Sequence, residues 1–588
     1  MRTIQRSLCF LFILPVLVFA SILPARALDL TLLHVNDSHS YLDPTGDSLF
    51  LGGEPTSVRL GGWERLARAV DGVRAEGGNV LLLHAGDAVQ GDLFFLKYDG
   101  RPEMELLDRF GFAAMTLGNH EFDRGAEFLA RMLGHASLPV LSANIDAAGV
   151  PGLAARLKPY VVLDVAGEKI GVVGLTDVDT GSVSNPGSGV RFTDDEAAAR
   201  RAVAALQAEG VNKIILLTHV GLERDRQLAA SVPGVDVIVG GHSHSLLGDP
   251  AAMKALGKVA DDDYPVTVKG ADGHDVYVVT AWKWSRVLGR LDLRFDADGR
   301  VVSVGGGPVL LVDDDFKRKD DGGRWTALTG EARRAVLADL KASPVARVAE
   351  GESVAPGSLA ATTREYLHPF EQGVAAMRTE VIGRAAKPLP HIRVPGVDEN
   401  GRDLRGGSLL APLVCRSMLD RLAATAEPAD LALINAGGVR HDLEQGDITV
   451  GMAYTLLPFN NTLFVLEMTG DQLRRALEIG VGRGGGAFPY MAGARYEADM
   501  NRPAGERVRE VTVAGKDGGF APLDLARTYR VVTSAFLAGG GDAYTVMDEI
   551  ADRTDTGFVD ALAFIAYVKA VKVLEPPSSS GVTYIPAR

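Results

Sequence analysis

Cysteine is almost absent: among 588 residues only Cys9 and Cys415 carry a thiol. Cys9 falls in an apolar leader, so a single thiol is left and no internal disulfide can form, even in an oxidising compartment. Cys9 also stands at the wrong end of that leader for lipid attachment. Long apolar runs are missing after residue 23, and nothing later approaches the ~18 unbroken apolar residues of a membrane-spanning helix. Positive charge is scarce too. The leader begins with Arg2 and Arg6, runs apolar over 8–23 and ends in Ala25, Arg26 and Ala27. That pattern reads as a secretory signal peptide over 1–27, cut after Ala27, and predicts a periplasmic or secreted protein. Losing Arg2, Arg6 and Arg26 leaves 58 basic residues against 75 acidic ones, a net of −17. Such a surface repels nucleic acid polymers and anionic membranes. An anionic substrate must then be drawn in locally, by metal ions or a few arginines.

The chain is too long for one hydrophobic core. From 28 to about 300, apolar runs at 30–35, 80–85, 113–117, 140–143, 170–175, 214–218 and 235–239 alternate with amphipathic stretches and read as buried strands. Trp63, Leu66, Ala67, Val70 and Val73 share one helical face. Thr193 with Glu196 reads as a capping box opening a helix that ends at Gly210. Residues 313–357 are polar and broken by glycine and proline. A helix is expected over about 360–378, and a second mixed α/β segment, rich in glycine loops, follows. The organisation predicted is an α/β domain over 28–357, a helical connector over 358–380 and a C-terminal domain over 381–588. No short-period repeat is present.

Chemistry gathers where the strands end. Asn36, Asp37, Ser38 and His39 follow the first; Gly86 and Asp87 the second; Gly118, Asn119, His120, Glu121, Phe122 and Asp123 the third. His219 closes a later strand, and Gly240, Gly241, His242, Ser243 and His244 follow another. A lone histidine or aspartate at a strand end is usually a cap or turn residue. Five such ends together describe a metal site at the carboxyl edge of an α/β sheet. The set D-x-H, G-D, G-N-H-E, a strand-end His and G-G-H-x-H resembles the calcineurin-like metallophosphoesterases. The resemblance implies an αββα sandwich and two divalent cations, of zinc, manganese, iron or cobalt type. Asp37, His39, Asp87 and His244 would hold one; Asp87, Asn119, His219 and His242 the other, with Asp87 bridging. Such a pair activates water and neutralises phosphoryl oxygens. His120 would face substrate, its ring oriented and kept protonated by Asp123. His34 and His84, within strands, read as packed structural residues.

The C-terminal half carries three glycine- and aromatic-bearing loops: 435–440 (N-A-G-G-V-R), 457–462 (L-P-F-N-N-T) and 536–544 (F-L-A-G-G-G-D-A-Y). They are similar to the substrate-binding elements of the 5'-nucleotidase family, a resemblance covering nearly the whole chain beyond the leader. It implies a mixed α/β substrate-binding domain in which Phe459 and Phe536 sandwich a base. Asn435 belongs to the first loop, Asn461 would reach a base edge, Asp542 would accept from ribose hydroxyls, and Arg440 would meet phosphate. Where the family has N-x-G-N-L, this chain has Leu409, Leu410, Ala411, Pro412 and Leu413. The arginine just upstream is therefore assigned to Arg393, with Arg402 and Arg405 as rivals. The segments 281–285 (A-W-K-W-S) and 487–497 are similar to the NAD nucleotidase branch, which implies NAD among the substrates. AMP, a UDP-sugar or a 2',3'-cyclic phosphate stay open as alternatives. So does a relative acting on a protein-bound sulfur ester, and, in another class, a solute-binding protein without catalysis.

Overall fold

The computed structural model describes residues 27–184, 186–320, 324–348, 355–396, 403–423, 425, 427–459, 461–515 and 518–587. Apart from Ala27, the leader expected over 1–27 lies outside them, as does Arg402.

The apolar runs of the first half form two sheets. In one, Leu28–Val35 pairs parallel with Val80–His84 and antiparallel with Val287–Phe295, and Ala114–Thr116 and Val140–Leu141 extend the parallel side. In the other, Glu168–Thr176, Ile214–His219, Val237–Val239 and Asp275–Val279 run parallel in that order. Side chains alternate across each strand. Leu30, Leu32, Leu83, Val172, Ile215, Val237 and Leu291 fill the space between the sheets. Leu33 and Leu82 face outward onto Trp63, Leu66 and Val70 of the helix Trp63–Ala75. Val173 and Leu216 face the opposite way, onto Ala198, Ala202 and Leu206 of the helix Asp195–Ala208. The result is an αββα sandwich. Leu32, fully buried at its centre, would cost about 2–5 kcal/mol as alanine.

One local expectation needs correction. The helix Asp195–Ala208 is capped by Asp194, whose side chain accepts from Ala197 N–H at 2.7 Å, while Thr193 turns its hydroxyl to Asn144 O at 3.1 Å. An ionised carboxylate accepts an N–H more strongly than a hydroxyl does, so the cap moved one residue. The polar stretch 313–357 includes, among its described residues, elements the sequence reading did not assign. It holds the helix Gly330–Ala342, which buries Val336, Leu337 and Leu340, and the strand Ala346–Val348, which joins the large sheet beside Val301–Val312.

The helix Leu359–Met377 starts at Ser358, whose hydroxyl accepts from Ala361 N–H. It does not stand free between domains. Arg364 pairs with Glu64, Tyr366 donates to Glu105 at 2.8 Å, and Tyr98 donates to Phe370 O at 3.2 Å, so the helix is fastened to the first domain. The second domain follows. Its central sheet orders Pro489–Ala492, Leu431–Asn435, Thr528–Ser534, Thr462–Thr469 and Arg553–Val559. Thr469 and Gln472 form a reciprocal capping box on Gly470–Arg483. Cys415 is buried on Ala411–Leu422, its Sγ 3.4 Å from Tyr490 O, and burial raises its thiol pKa. No helix among the described residues is long and apolar enough to cross a membrane.

Candidate functional site

The five strand ends converge. Asp37 Oδ1 lies 3.7 Å from His39 Nε2, 3.3 Å from His244 Nε2 and 3.9 Å from His219 Nε2. Asp87 Oδ2 lies 3.8 Å from His39 Nε2 and 3.0 Å from His219 Nε2. Asn119 Oδ1 faces His242 Nδ1 at 3.0 Å. All seven residues expected as ligands are thus in one cage, with both aspartates reaching both halves.

Holding them there strains the backbone. Asp37, His39, Asp87, His242 and His244 have φ of 49°, 49°, 52°, 78° and 51°. Non-glycine residues rarely adopt that region, and such outliers persist only where surrounding bonds over-determine them. Glu121 is one source of those bonds. Its buried carboxylate accepts from Asp87 N–H (3.0 Å), Gly118 N–H (2.7 Å) and Ala88 N–H (2.7 Å). Asn36 is another, donating to Asp37 Oδ2 at 2.6 Å. Gly118 is required by proximity, since a Cβ there would sit 2.1 Å from Asp87 Oδ1. Sequence reading passed over Glu121 and Asn36, although each adjoins a residue it singled out.

The donor set fits cations. His39 Nδ1 meets Gln90 O at 2.9 Å and His219 Nδ1 meets Ala85 O at 2.7 Å, which fixes the tautomers and aims both Nε2 atoms into the cage. His219 Nε2 is buried, and Asp87 Oδ2, though 3.0 Å away, is not aligned to hydrogen-bond it. His39 Nε2 and His244 Nε2 face each other at 3.0 Å, an arrangement suited to two imidazoles around a common centre. Burial disfavours charge on His219, but Asp87 and Asp37 outweigh it and push its pKa up to about 10. A cation held in the cage would take the place of that proton. For Asp87, burial is overcome by His219, His120 and His39, which hold its carboxyl well below the usual range. His34 and His84 are buried and bonded to Tyr264 and Ser38, outside the cage, as structural residues should be.

His120 projects beside the cage. Its Nδ1 lies 2.8 Å from Asp123 Oδ2, and Asp123 Oδ1 accepts from Ser184 Oγ at 2.9 Å. The following helix, Ala126–Met132, has no side-chain cap, so Asp123 serves His120 instead. Burial opposes charge on His120, yet Asp123 and Asp87 prevail and push its pKa up to about 10.

In the second domain, Arg393, Asn435, Arg440, Phe459, Asn461, Phe536 and Asp542 line one cavity of about 370 Å³ together with Gly437, Gly438 and Gly486. Phe459 and Phe536 are 50% and 47% exposed, unlike core phenylalanines. Asp542 is steadied by Asn435 Nδ2 at 2.8 Å, while Asn461 leans its amide toward Asp560 at 3.4 Å. Of the rival arginines, Arg393 is in the cavity and Arg405 is tied to Asp403 at 2.6 Å. No cage residue lines this cavity.

The calcineurin-like phosphoesterase family matches residues 30–246, and the 5'-nucleotidase C-terminal domain family matches residues 381–549. A Treponema pallidum (strain Nichols) protein named "Probable 5'-nucleotidase" is 36% identical over 95% of this chain and 94% of its own length. The NAD 5'-nucleotidase of Haemophilus influenzae is 34% identical over 95% of this chain and 93% of its own. The solved structure of Haemophilus influenzae NAD nucleotidase superposes with a TM-score of 0.82 at 33% identity, covering 96% of this chain and 100% of that one. With the cage on one domain and the aromatic cavity on the other, the chain belongs to the 5'-nucleotidase family and is a metal-dependent phosphoric ester hydrolase.

Proposed function

We propose that the enzyme hydrolyses 5'-nucleotides and the pyrophosphate of NAD-type dinucleotides, outside the cytoplasm, with two divalent cations in the cage. Asp37, His39, Asp87 and His244 would hold one, and Asp87, Asn119, His219 and His242 the other, with Asp87 shared. Those cations, when bound, would supply an activated water and neutralise phosphoryl oxygens. His120 keeps a proton because Asp123 takes Nδ1, and its Nε2 would steady charge on the phosphoryl or leaving oxygen. In the cavity, Phe459 and Phe536 would stack the base, Asn461 and Asp542 would read base edge and ribose, and Arg393 and Arg440 would take phosphate. The observation that carries this reading is the pairing of a phosphoryl-transfer cage with a separate cavity lined by two half-exposed phenylalanines and two arginines.

The cage lies on the first domain and the base cavity on the second, with no residue in common, so a nucleotide held by its base would be carried to the cage by the domains turning relative to one another. The helix Leu359–Met377 is fixed to the first domain, so the turning point would lie beyond Met377. The test is phosphate release from AMP, a UDP-sugar and NAD in parallel, with and without chelator. Activity on NAD and AMP that chelator abolishes is expected. Undiminished activity after metal removal, or none on any nucleotide with manganese or zinc, overturns the reading.

A further inference from the structure

The loop 281–285 adjoins the cage without contributing a ligand. Trp282, Trp284 and Ser285 all have positive φ, at 58°, 60° and 53°. Such a run is costly and needs firm anchorage. Ala281 N–H donates to Asn36 Oδ1 at 2.6 Å, Asn36 Nδ2 donates to Trp282 O at 2.8 Å, and Trp284 N–H donates to Asp37 O at 2.7 Å. The loop is thus tied to the two residues that open the cage, and what it carries there is Lys283.

The Lys283 ammonium sits 4.5 Å from the Trp284 ring centroid, which steadies a cation without neutralising it. Arg286, also 4.5 Å from that ring, is committed to Asp47 at 2.9 Å. Among the described residues no carboxylate lies within ion-pair distance of Lys283. Burial, and then the Arg286 charge, lower its pKa to about 8, and the carboxylates that oppose them are led by Asp555, ahead of Asp37 and Asp47. Asp555 belongs to the second domain and acts on His120 as well. Two residues on, Gly557 presses so closely on His120 that a Cβ there would lie 1.6 Å from its Nε2. Thr462 Oγ1 and Gly557 N–H hold the Asp555 carboxylate, at 3.0 and 2.9 Å. A carboxylate of the second domain is thus held beside the Gly557 backbone that packs on His120 Nε2, and its charge reaches Lys283 as well.

We infer that Lys283 is a specificity-determining residue that binds the second, non-reacting phosphate of a diphosphate-linked substrate, and that Asp555 holds this anion position in the present domain arrangement. A monoester such as AMP offers only ribose beside its single phosphate, so an ammonium there has nothing to grip. NAD and ADP each present a second phosphate. The inference rests on the nucleotide-hydrolase reading above.

The test uses the manganese-loaded full enzyme and compares kcat/KM for NAD and ADP with that for AMP. Lys283→Met should lower the ratio about tenfold or more, the loss of one charge-assisted contact, and Lys283→Arg should recover most of it. A second measurement reads inhibition of AMP hydrolysis: pyrophosphate should inhibit wild type more strongly than phosphate, and Asp555→Asn should strengthen that inhibition several-fold. Unchanged ratios in Lys283→Met, wild-type activity confined to AMP, or no effect of Asp555→Asn would overturn the inference. Wild type inactive on every nucleotide would instead sink the reading beneath it.

Discussion

His120 Nδ1 and Asp123 Oδ2 lie 2.8 Å apart, and this contact decides the charge of the histidine beside the cage. Burial alone would discharge the ring; Asp123 and Asp87 together raise its pKa to about 10. If the charged ring is the active form, activity falls as pH rises through that value and is retained below it. Asp123→Asn removes one supporting charge, so the alkaline limb of the kcat profile should move to lower pH. A fall in kcat of about 10- to 100-fold should accompany it, and His120→Ala should cost about 100-fold or more. A pH–rate series on AMP checks both.

Asp87 joins His39 to His219 through its carboxylate and is held in place by Glu121, which accepts from its N–H. Asp87→Asn should lose both activity and tightly held metal, measured by elemental analysis after dialysis. Glu121→Gln should weaken metal retention about 10- to 100-fold, since it holds the loop without coordinating.

Phe459 and Phe536 should act on binding and not on bond cleavage. Replacing either by alanine should raise KM for nucleotides by about 5- to 150-fold, matching ~1–3 kcal/mol of stacking per base. Hydrolysis of a small aryl phosphate that has no base should change much less. Steady-state kinetics on the two substrate types separates the outcomes.

Glu103 offers a prediction about stability. It is fully buried on the helix Arg101–Phe110, and burial lifts its pKa to about 7, only partly opposed by Ser40. The native state therefore binds more protons than the unfolded chain between about pH 4.5 and 7, so this group's contribution declines as pH rises across that window. Glu103→Gln cannot ionise. It should match wild type near pH 4.5 and exceed it by about 1–3 kcal/mol at pH 8, read from denaturant unfolding.

Much of the cage was readable because each residue expected as a ligand lies within about five residues of a strand's end: once 30–35, 80–85 and 214–218 are seen as strands, the residues after them must meet at one edge. The fastening was not readable. Glu121 reaches back 34 residues to Asp87, and Gly557 meets His120 across more than four hundred residues of chain. Neither approach leaves a local pattern. The helix Gly330–Ala342 was missed because Val336, Leu337 and Leu340 sit among charged residues that mask their spacing. The cap at Asp194 was displaced to Thr193 because both side chains can accept an N–H, and only the fold shows that Asn144 claims the hydroxyl.

The solitary Cys415 has an experimental use. Packed beneath Tyr490 and resistant to ionisation, it is the only thiol among the described residues and should stay silent toward maleimides. Two cysteines introduced on the surface, one per domain, would therefore be labelled without background. Their dye-to-dye distance would report, molecule by molecule, whether the halves swing, and how far.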